Sequence, residues 1–500
     1  MTLTETVAHD PFVQAAAAVC AERGIAACVV GGAMRDLLLG RPVHDWDFVV
    51  ERDAIPLARA TADRLGAAFF PLDDERDTGR VVIRTGGARV FLDFALRRGP
   101  DWRADLEARD LTVNAIALSL GAGDVIDLFG GQADLAAHFI RAVTERSFRD
   151  DAARMMRAVR LAGELDFQIE PQTAAWMRRD AMLLSGVSAE RVRDELSKLL
   201  TQPDAFAGIR QMDDLGLLDQ VLPELSALRG VGQSAPHHWL ALEHTLFTLA
   251  ALERIIAIVV GQEGSLPYEN APAFVWDDVR HVTSDFREPL AAHLTRPLGD
   301  ERPTLVALKL AALLHDCAKP QTRTVDEQGR THFYRHEEIG APIAAERLRA
   351  LRFTNVELER VRVVVAHHLR PQQLADAQEG VTRRAAYRYF RGVRDAGVDV
   401  LLLALADHIA THGPEVQPER WGRRIKAVSE LLTEYWARLA EGVAPLPLVS
   451  GHDVMLELGL TPGRRVGELL EAIREAQAAG EVATRAQAIQ LAKSLSSEGP

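Results

Sequence analysis

Asp45 and Asp47, in the segment His44-Asp-Trp-Asp-Phe-Val-Val50, carry the plainest chemical signal in the chain. Residues i and i+2 of a strand share a face, so the two carboxylates project together while Trp46, Phe48 and Val50 turn to the core. Paired carboxylates repel unless a cation lies between them. They are a natural seat for one or two Mg²⁺ ions that bridge triphosphate oxygens and activate a hydroxyl nucleophile. Just upstream, Gly31-Gly32-Ala33-Met34-Arg35-Asp36 joins glycines that let a bulky anion approach the backbone to a guanidinium that pairs with phosphate. A solvated strand end is the bland reading of the acid pair, and the glycine turn with Arg35 weighs against it. Asp93, among Phe91, Leu92 and Phe94, is a candidate third carboxylate, with a place at the edge of the core as its alternative.

Two further clusters follow. In Asp105-Leu-Glu-Ala-Arg-Asp-Leu-Thr-Val-Asn114, the residues Arg109, Asp110 and Asn114 are expected one turn apart at the start of an apolar helix, within reach of ribose and phosphate. Plain N-terminal capping by Asp110 is the alternative. In Asp150-Asp-Ala-Ala-Arg-Met-Met-Arg-Ala-Val-Arg160, spacings of three place Asp151, Arg154 and Arg157 on adjoining turns of one face, where a salt-bridged exposed helix is the alternative. Cytosine and adenine each present an amine donor beside a ring-nitrogen acceptor. Asp151 accepting from the amine and Arg154 donating to the ring nitrogen would select C and A; uracil and guanine reverse the pattern.

These motifs, in order, resemble the class II tRNA nucleotidyltransferase and bacterial poly(A) polymerase family, from about Val29 to Leu200. Asp127-Leu-Phe-Gly-Gly and Glu190-Arg-Val-Arg-Asp-Glu-Leu fit as well. The resemblance implies a polymerase-β-like head, metal on Asp45 and Asp47, and nucleotide contacts from Gly32, Arg35, Arg109, Asp151, Arg154, Arg157 and Arg160. Ala108 and Asp150 depart from the family's usual Arg and Glu. The stretch from Asp93 to Arg109 is short where CCA-adding relatives carry a flexible loop, so the resemblance leans toward CC addition.

Farther on, His244, His315-Asp316 and Asp407 resemble the HD phosphohydrolase pattern, with His336 and His367 or His368 completing a second metal site that Asp316 bridges. Any single histidine on an apolar helix is more often a core residue. Imidazole and carboxylate ligands together suit Ni²⁺, Mn²⁺, Fe²⁺, Co²⁺ or Zn²⁺ better than Mg²⁺. A metal-bridged water could attack a phosphoester, and family precedent includes 2′,3′-cyclic phosphates. Lys319 either holds substrate phosphate or ends the helix. Thr382 to Arg394 interleaves arginine with Tyr387, Tyr389 and Phe390, which suits RNA tracking or an exposed basic face.

The elements that must position these groups are legible in outline. Residues 80–94, with Gly86-Gly87 between them, read as a hairpin, and Ala33–Leu39 as a short helix closed by Gly40. From Arg141 the pattern is helical over 150–165, 189–200 and 205–218, while 261–304 reads as a long insertion. The expected fold is α+β: a nucleotidyltransferase head (1–140), a helical neck carrying the nucleotide-selecting helix (141–230), an HD-type helical domain (231–415) and a helical tail (416–500) suited to gripping tRNA.

With 500 residues, 47% of them hydrophobic, the chain can bury several cores. A net charge of −13 opposes indiscriminate coating of nucleic acid. No apolar run is long enough for a membrane span, no export signal is read at the start, and three cysteines without metal spacing fit a reducing cytoplasm. The expected partners are tRNA, CTP and, if A follows CC, ATP; no membrane or obligate protein partner is inferred. A poly(A) polymerase, a phosphohydrolase whose head only binds RNA, and an RNA-binding module with both sites vestigial are the competing readings.

Overall fold

The computed structural model describes residues 6–7, 9–43, 45–85, 88–263, 270–299, 302–378, 380–440 and 447–497. His44 and the hairpin turn at Gly86-Gly87 lie outside them. The chain divides into two compact units, 1–199 with 211–221, and 200–210 with 222–500.

In the first unit, helix α1 (Pro11–Glu22) precedes strand β1 (Ala27–Val30), whose four residues are all buried. The chain then turns at Gly31 into α2 (Gly32–Leu38). Strand β2 (Asp45–Val50), helix α3 (Ala54–Leu65), the antiparallel strands β3 (Ala68–Asp73), β4 (Thr78–Thr85) and β5 (Ala88–Leu96), and the short α4 (Trp102–Glu107) follow. With β6 (Ile116–Ser119) and β7 (Val125–Asp127) they form a seven-stranded sheet ordered β3-β4-β5-β2-β1-β6-β7. Only β2 and β5 pair in parallel within it, setting Asp47 opposite Asp93. The period-two pattern of β2 is realised: Trp46 and Phe48 are buried, with Phe48 stacked on Phe94 at 4.7 Å, while Asp45 is exposed and Asp47 half-buried. Val49 is buried on the other face with Cys28, Val30 and Leu106, so both faces of the sheet are covered near the acids.

Two expectations for this unit are corrected. Arg109 to Asn114 does not open a helix: residues 112–114 make one 3₁₀ turn, and the chain continues as β6. Short apolar runs are ambiguous in periodicity, and pairing with β1 decides for the strand. Likewise Asp151 is not on the helix with Arg154. A four-residue turn, Ser147–Asp150, ends before it, Asp151 is extended (φ −157°, ψ 104°), and α5 runs over Ala153–Leu165. Helix α6 (Ala189–Leu200) matches its expected bounds.

The second unit is helical. Its first long helix is α7 (Ala241–Val260). Within 261–304, the stretch read as a long insertion, the described residues form α8 (Ala273–Ser284) and α9 (Arg287–Thr295), burying Val275, Trp276, Val279, Leu290 and Leu294. Their apolar stripes are diluted by Asp, Arg and His, which hid the period. Then come α10 (Thr304–Leu314), α11 (His336–Ala350), α12 (Asn355–His367), α13 (Arg383–Val393) and α14 (Gly397–His412). Every residue of α14 is buried, including Asp399 and Asp407. At about 1.5–3 kcal/mol per fully buried aliphatic side chain, Val400 to Leu405 supply the stabilisation that lets one helix carry two interior acids. The tail comprises α15 (Pro418–Ala440), α16 (Gly451–Leu458), α17 (Arg464–Ala478) and α18 (Arg485–Ser497). The last three share a core of their own around Val454, Leu469, Ile473 and Ala488.

Candidate functional site

Gly31 sets the geometry of the acidic site. Its backbone is left-handed (φ 76°), and a Cβ there would sit 3.0 Å from Asp47 Oδ2 and 3.5 Å from Arg109 Nη1. Only glycine allows β1 to turn this closely under an acid. Arg109 is held in place by Asp105, whose Oδ2 accepts from Nε and Nη2 at 3.2 and 3.1 Å. On the other side of Asp47, Asp93 accepts two 2.7 Å hydrogen bonds from Arg80. Burial first, and then the facing charge of Asp93, push the Asp47 carboxyl up to about 6. A raised acid beside a second acid, in a space that no Cβ could share, fits a divalent cation.

The remaining head residues form one connected chain of hydrogen bonds. Arg35 Nη1 donates to Asn114 Oδ1 (2.8 Å), Asn114 Nδ2 to Asp110 Oδ1 (3.2 Å), and Arg157 Nη1 to Asp110 Oδ2 (3.0 Å). Arg35 Nε also donates to Asp36 (2.9 Å). Asp110 additionally accepts from the Leu111 backbone, but the capping expectation does not hold: the 3₁₀ turn at 112–114 follows Leu111 and has no side-chain cap. Arg154 points its Nη groups at the carbonyls of Ala108, Arg109 and Ser147. It thereby braces the backbone that carries Arg109. Its Nε lies 3.9 Å from Asp151, too far for a hydrogen bond.

Two residues of α6, quoted in the sequence only as part of the Glu190–Leu196 segment and given no role there, complete this surface. Arg191 Nη2 donates to Asp151 Oδ2 at 2.6 Å, and Glu195 accepts from Arg160 Nε at 2.7 Å while lying 3.6 Å from Arg157. Their i, i+4 spacing with opposite charges to Asp151 and Arg157/Arg160 was the available signal.

In the second unit, α7, α10, α11, α14 and the end of α12 bring His244, His315, Asp316, His336, His368 and Asp407 together. His244 Nε2 lies 3.3 Å from Asp316 Oδ2 and 3.1 Å from Asp407 Oδ1; His315 Nε2 is 3.1 Å from Asp316 Oδ2, and His336 Nε2 is 3.3 Å from its Oδ1. His315, His336 and His368 each direct Nδ1 to the carbonyl three residues back, at 2.7–2.8 Å. That bond fixes the tautomer and leaves Nε2 as a lone pair facing the cluster. Buried His315 Nε2 and His244 Nε2 make no hydrogen bond, as expected of ligand atoms. Two triads, His244–His315–Asp316 and Asp316–His336–His368, suit metal ions with Asp316 common to both. Burial, followed by the charges of His315 and His336, lowers His368 to about 3 and keeps it neutral. His367 is corrected: it is only half-buried and lies outside both triads.

Lys319 is buried and reaches Asp316 Oδ2 at 2.6 Å, so it is part of the acid's surroundings and not a free helix end. The cavity over the cluster has a volume of about 520 Å³ and is rimmed by Arg330, Phe333, Arg420 and Arg424. The arginine-aromatic helix α13 is amphipathic, burying Ala386, Tyr389 and Val393 while Arg388 and Arg391 stay exposed, but its arginines are paired with glutamates. Arg384 donates to Glu481 (2.5 Å), Arg388 to Glu475 (2.9 and 2.7 Å), Arg391 to Glu471, and Tyr387 to Glu471 (3.3 Å).

Residues 27–141 match the poly A polymerase head domain, 166–228 the probable RNA and SrmB-binding site of polymerase A, and 290–412 the HD domain. Over 480 residues the chain is 36% identical to an A-adding tRNA nucleotidyltransferase of Deinococcus radiodurans, covering 95% of this chain and 96% of that one. A CC-adding tRNA nucleotidyltransferase of Thermus thermophilus is 36% identical over 465 residues, 92% of this chain and 91% of the relative. Among solved structures, a CCA-adding enzyme in complex with CTP has a TM-score of 0.63 at 21% identity, covering 100% of this chain and 98% of its own. That is a likeness of fold.

Proposed function

The chain belongs to the tRNA nucleotidyltransferase family, and from that premise we propose that it adds CMP to the tRNA 3′ end without a template, giving CC. The terminal ribose 3′-hydroxyl gives up its proton and forms a new O–P bond to the α-phosphorus of CTP, and the bond to pyrophosphate breaks. Asp45 and Asp47 would hold divalent metal, with Mg²⁺ the expected ion, which when bound neutralises triphosphate charge and activates the hydroxyl. The chain itself supplies position. Gly31 opens space for the triphosphate next to Asp47, Arg109 is steadied by Asp105 at its edge, and the Arg35–Asn114–Asp110–Arg157 chain holds the ribose-facing surface. Asp151 accepts from the cytosine amine, and Arg154 fixes the backbone beneath.

The observation that carries this reading is the meeting of Gly31, Asp47 and Arg109 within about one side chain's width. The reading of CC over CCA rests on the compact stretch after Asp93: β5 ends at Leu96 and α4 begins at Trp102, leaving no room for a long flexible loop. Incubation with tRNA lacking its terminus, and with tRNA ending in CC, with each nucleoside triphosphate separately, tests it. CTP incorporation on the first and none of ATP on the second is expected. A addition is the second reading, favoured by the equal likeness to an A-adding relative, and efficient ATP incorporation onto the CC end would establish it.

We further propose that the histidine-lined centre is a metal-dependent phosphohydrolase site. His244, His315, Asp316, His336 and His368 would hold a transition metal, which would supply a water of lowered pKa. The arrangement of three imidazoles, each with Nδ1 tied to a carbonyl and Nε2 turned inward, supports it. His315→Ala should lose both bound transition metal, by elemental analysis, and phosphoesterase activity. A metal-free wild-type protein together with unchanged hydrolysis in the variant would refute the reading.

A further inference from the structure

Asp151 sits in extended backbone just ahead of α5, so no helical ladder fixes its side chain. Two contacts do. The Ala153 N–H donates to Oδ1 at 3.1 Å, and Arg191 Nη2 donates to Oδ2 at 2.6 Å. A carboxylate with two oxygens has about four acceptor directions, so these bonds orient the group and still leave lone pairs for a ligand. Burial alone would raise the Asp151 carboxyl; the hydrogen bond from Arg191 and its charge outweigh that and hold it below the ordinary range. An ionised carboxylate can only accept. A protonated one could donate to the carbonyl oxygen at the same edge of uracil, and discrimination between C and U would weaken.

Arg191 comes from α6, and one turn on, Glu195 holds Arg160 and faces Arg157. One face of α6 thus carries a charge pattern complementary to that of Asp151 and α5. The Arg191 side chain is half exposed, and so open an ion pair contributes little to stability. Its value is orientation.

We propose that Arg191 is a specificity-determining positioning residue for nucleotide addition: through Asp151 it aims an acceptor-only carboxylate at the exocyclic amine of the incoming base. This rests on the reading of Asp151 as the base-edge acceptor.

The test compares kcat/KM for CTP and UTP on tRNA lacking its terminus, for Arg191→Ala, Arg191→Lys, Asp151→Ala and the double variant, alongside melting curves. Arg191→Ala should lower the CTP:UTP ratio about tenfold or more, mainly through a raised KM for CTP, with melting nearly unchanged; lysine should restore part of the ratio. The double variant should discriminate no worse than Asp151→Ala alone. Equal loss for both nucleotides, or additive losses in the double variant, would overturn the positioning role. If Asp151→Ala itself leaves the ratio intact, the base-edge reading fails and this inference goes with it. If Asp151→Ala destroys discrimination while Arg191→Ala does not, only the role of Arg191 is lost. Should the alanine variant not fold, Arg191→Gln serves the same comparison.

Discussion

Asp47 is where proton and fold compete for one carboxylate. Its folded pKa of about 6 lies above the ordinary 3.8, so the folded chain binds the proton more tightly than the unfolded chain. Stability from this group is present below about pH 4 and is lost as the pH rises through 6. At about 1.4 kcal/mol per pH unit, the full loss is about 3 kcal/mol. Asp47→Asn should therefore stabilise the metal-free protein by up to that amount at pH 8 and by almost nothing at pH 4, measured by denaturant melts in chelator. Equal effects at both pH values would contradict the assignment. At this scale the sequence was legible for Asp45 and Asp47, because a two-residue period shows the shared face directly. It was not legible for Asp151, where a spacing of three suggested a helical face and the backbone is extended instead.

At the scale of elements, the turn from β1 into α2 is the part least open to change. Gly31→Ala places a methyl 3.0 Å from Asp47 Oδ2 in a backbone region that costs an L-residue about 1–3 kcal/mol. Displacing the acid by a fraction of an ångström should lower nucleotide incorporation on the order of a hundredfold, with a smaller loss of stability; steady-state kinetics beside thermal melts measure both. The hairpin and α6 could be read from local pattern alone. The 3₁₀ turn and β6 could not, since Leu-Thr-Val-Asn-Ala-Ile-Ala satisfies either period, and only pairing with β1 and β7 decides between them. Helices α8 and α9 were hidden for another reason: charged residues interrupt stripes of only two or three buried apolar side chains each.

For the molecule as a whole, the acid pair and the histidine cluster lie in separate compact units. Asp45→Ala should abolish CMP incorporation and leave phosphoesterase activity, and His315→Ala should do the reverse; both activities measured on each purified variant provide the check. Loss of both from one substitution would mean that the sites depend on each other. The order of motifs made the family readable from the chain alone, and the histidine centre was readable except for the choice between His367 and His368. Helix phase decides that choice: adjacent residues point about 100° apart, and only His368 turns inward.

Helix α13 holds the last consequence. Glu471, Glu475 and Glu481 imitate, within the protein, the row of negative charge that a polyanion would offer to its arginines. Changing all three to glutamine would strip away this built-in decoy. The variant, though still acidic overall, should be retained longer on a heparin column at low salt, and the difference should fade as added salt screens the unmasked guanidinium groups.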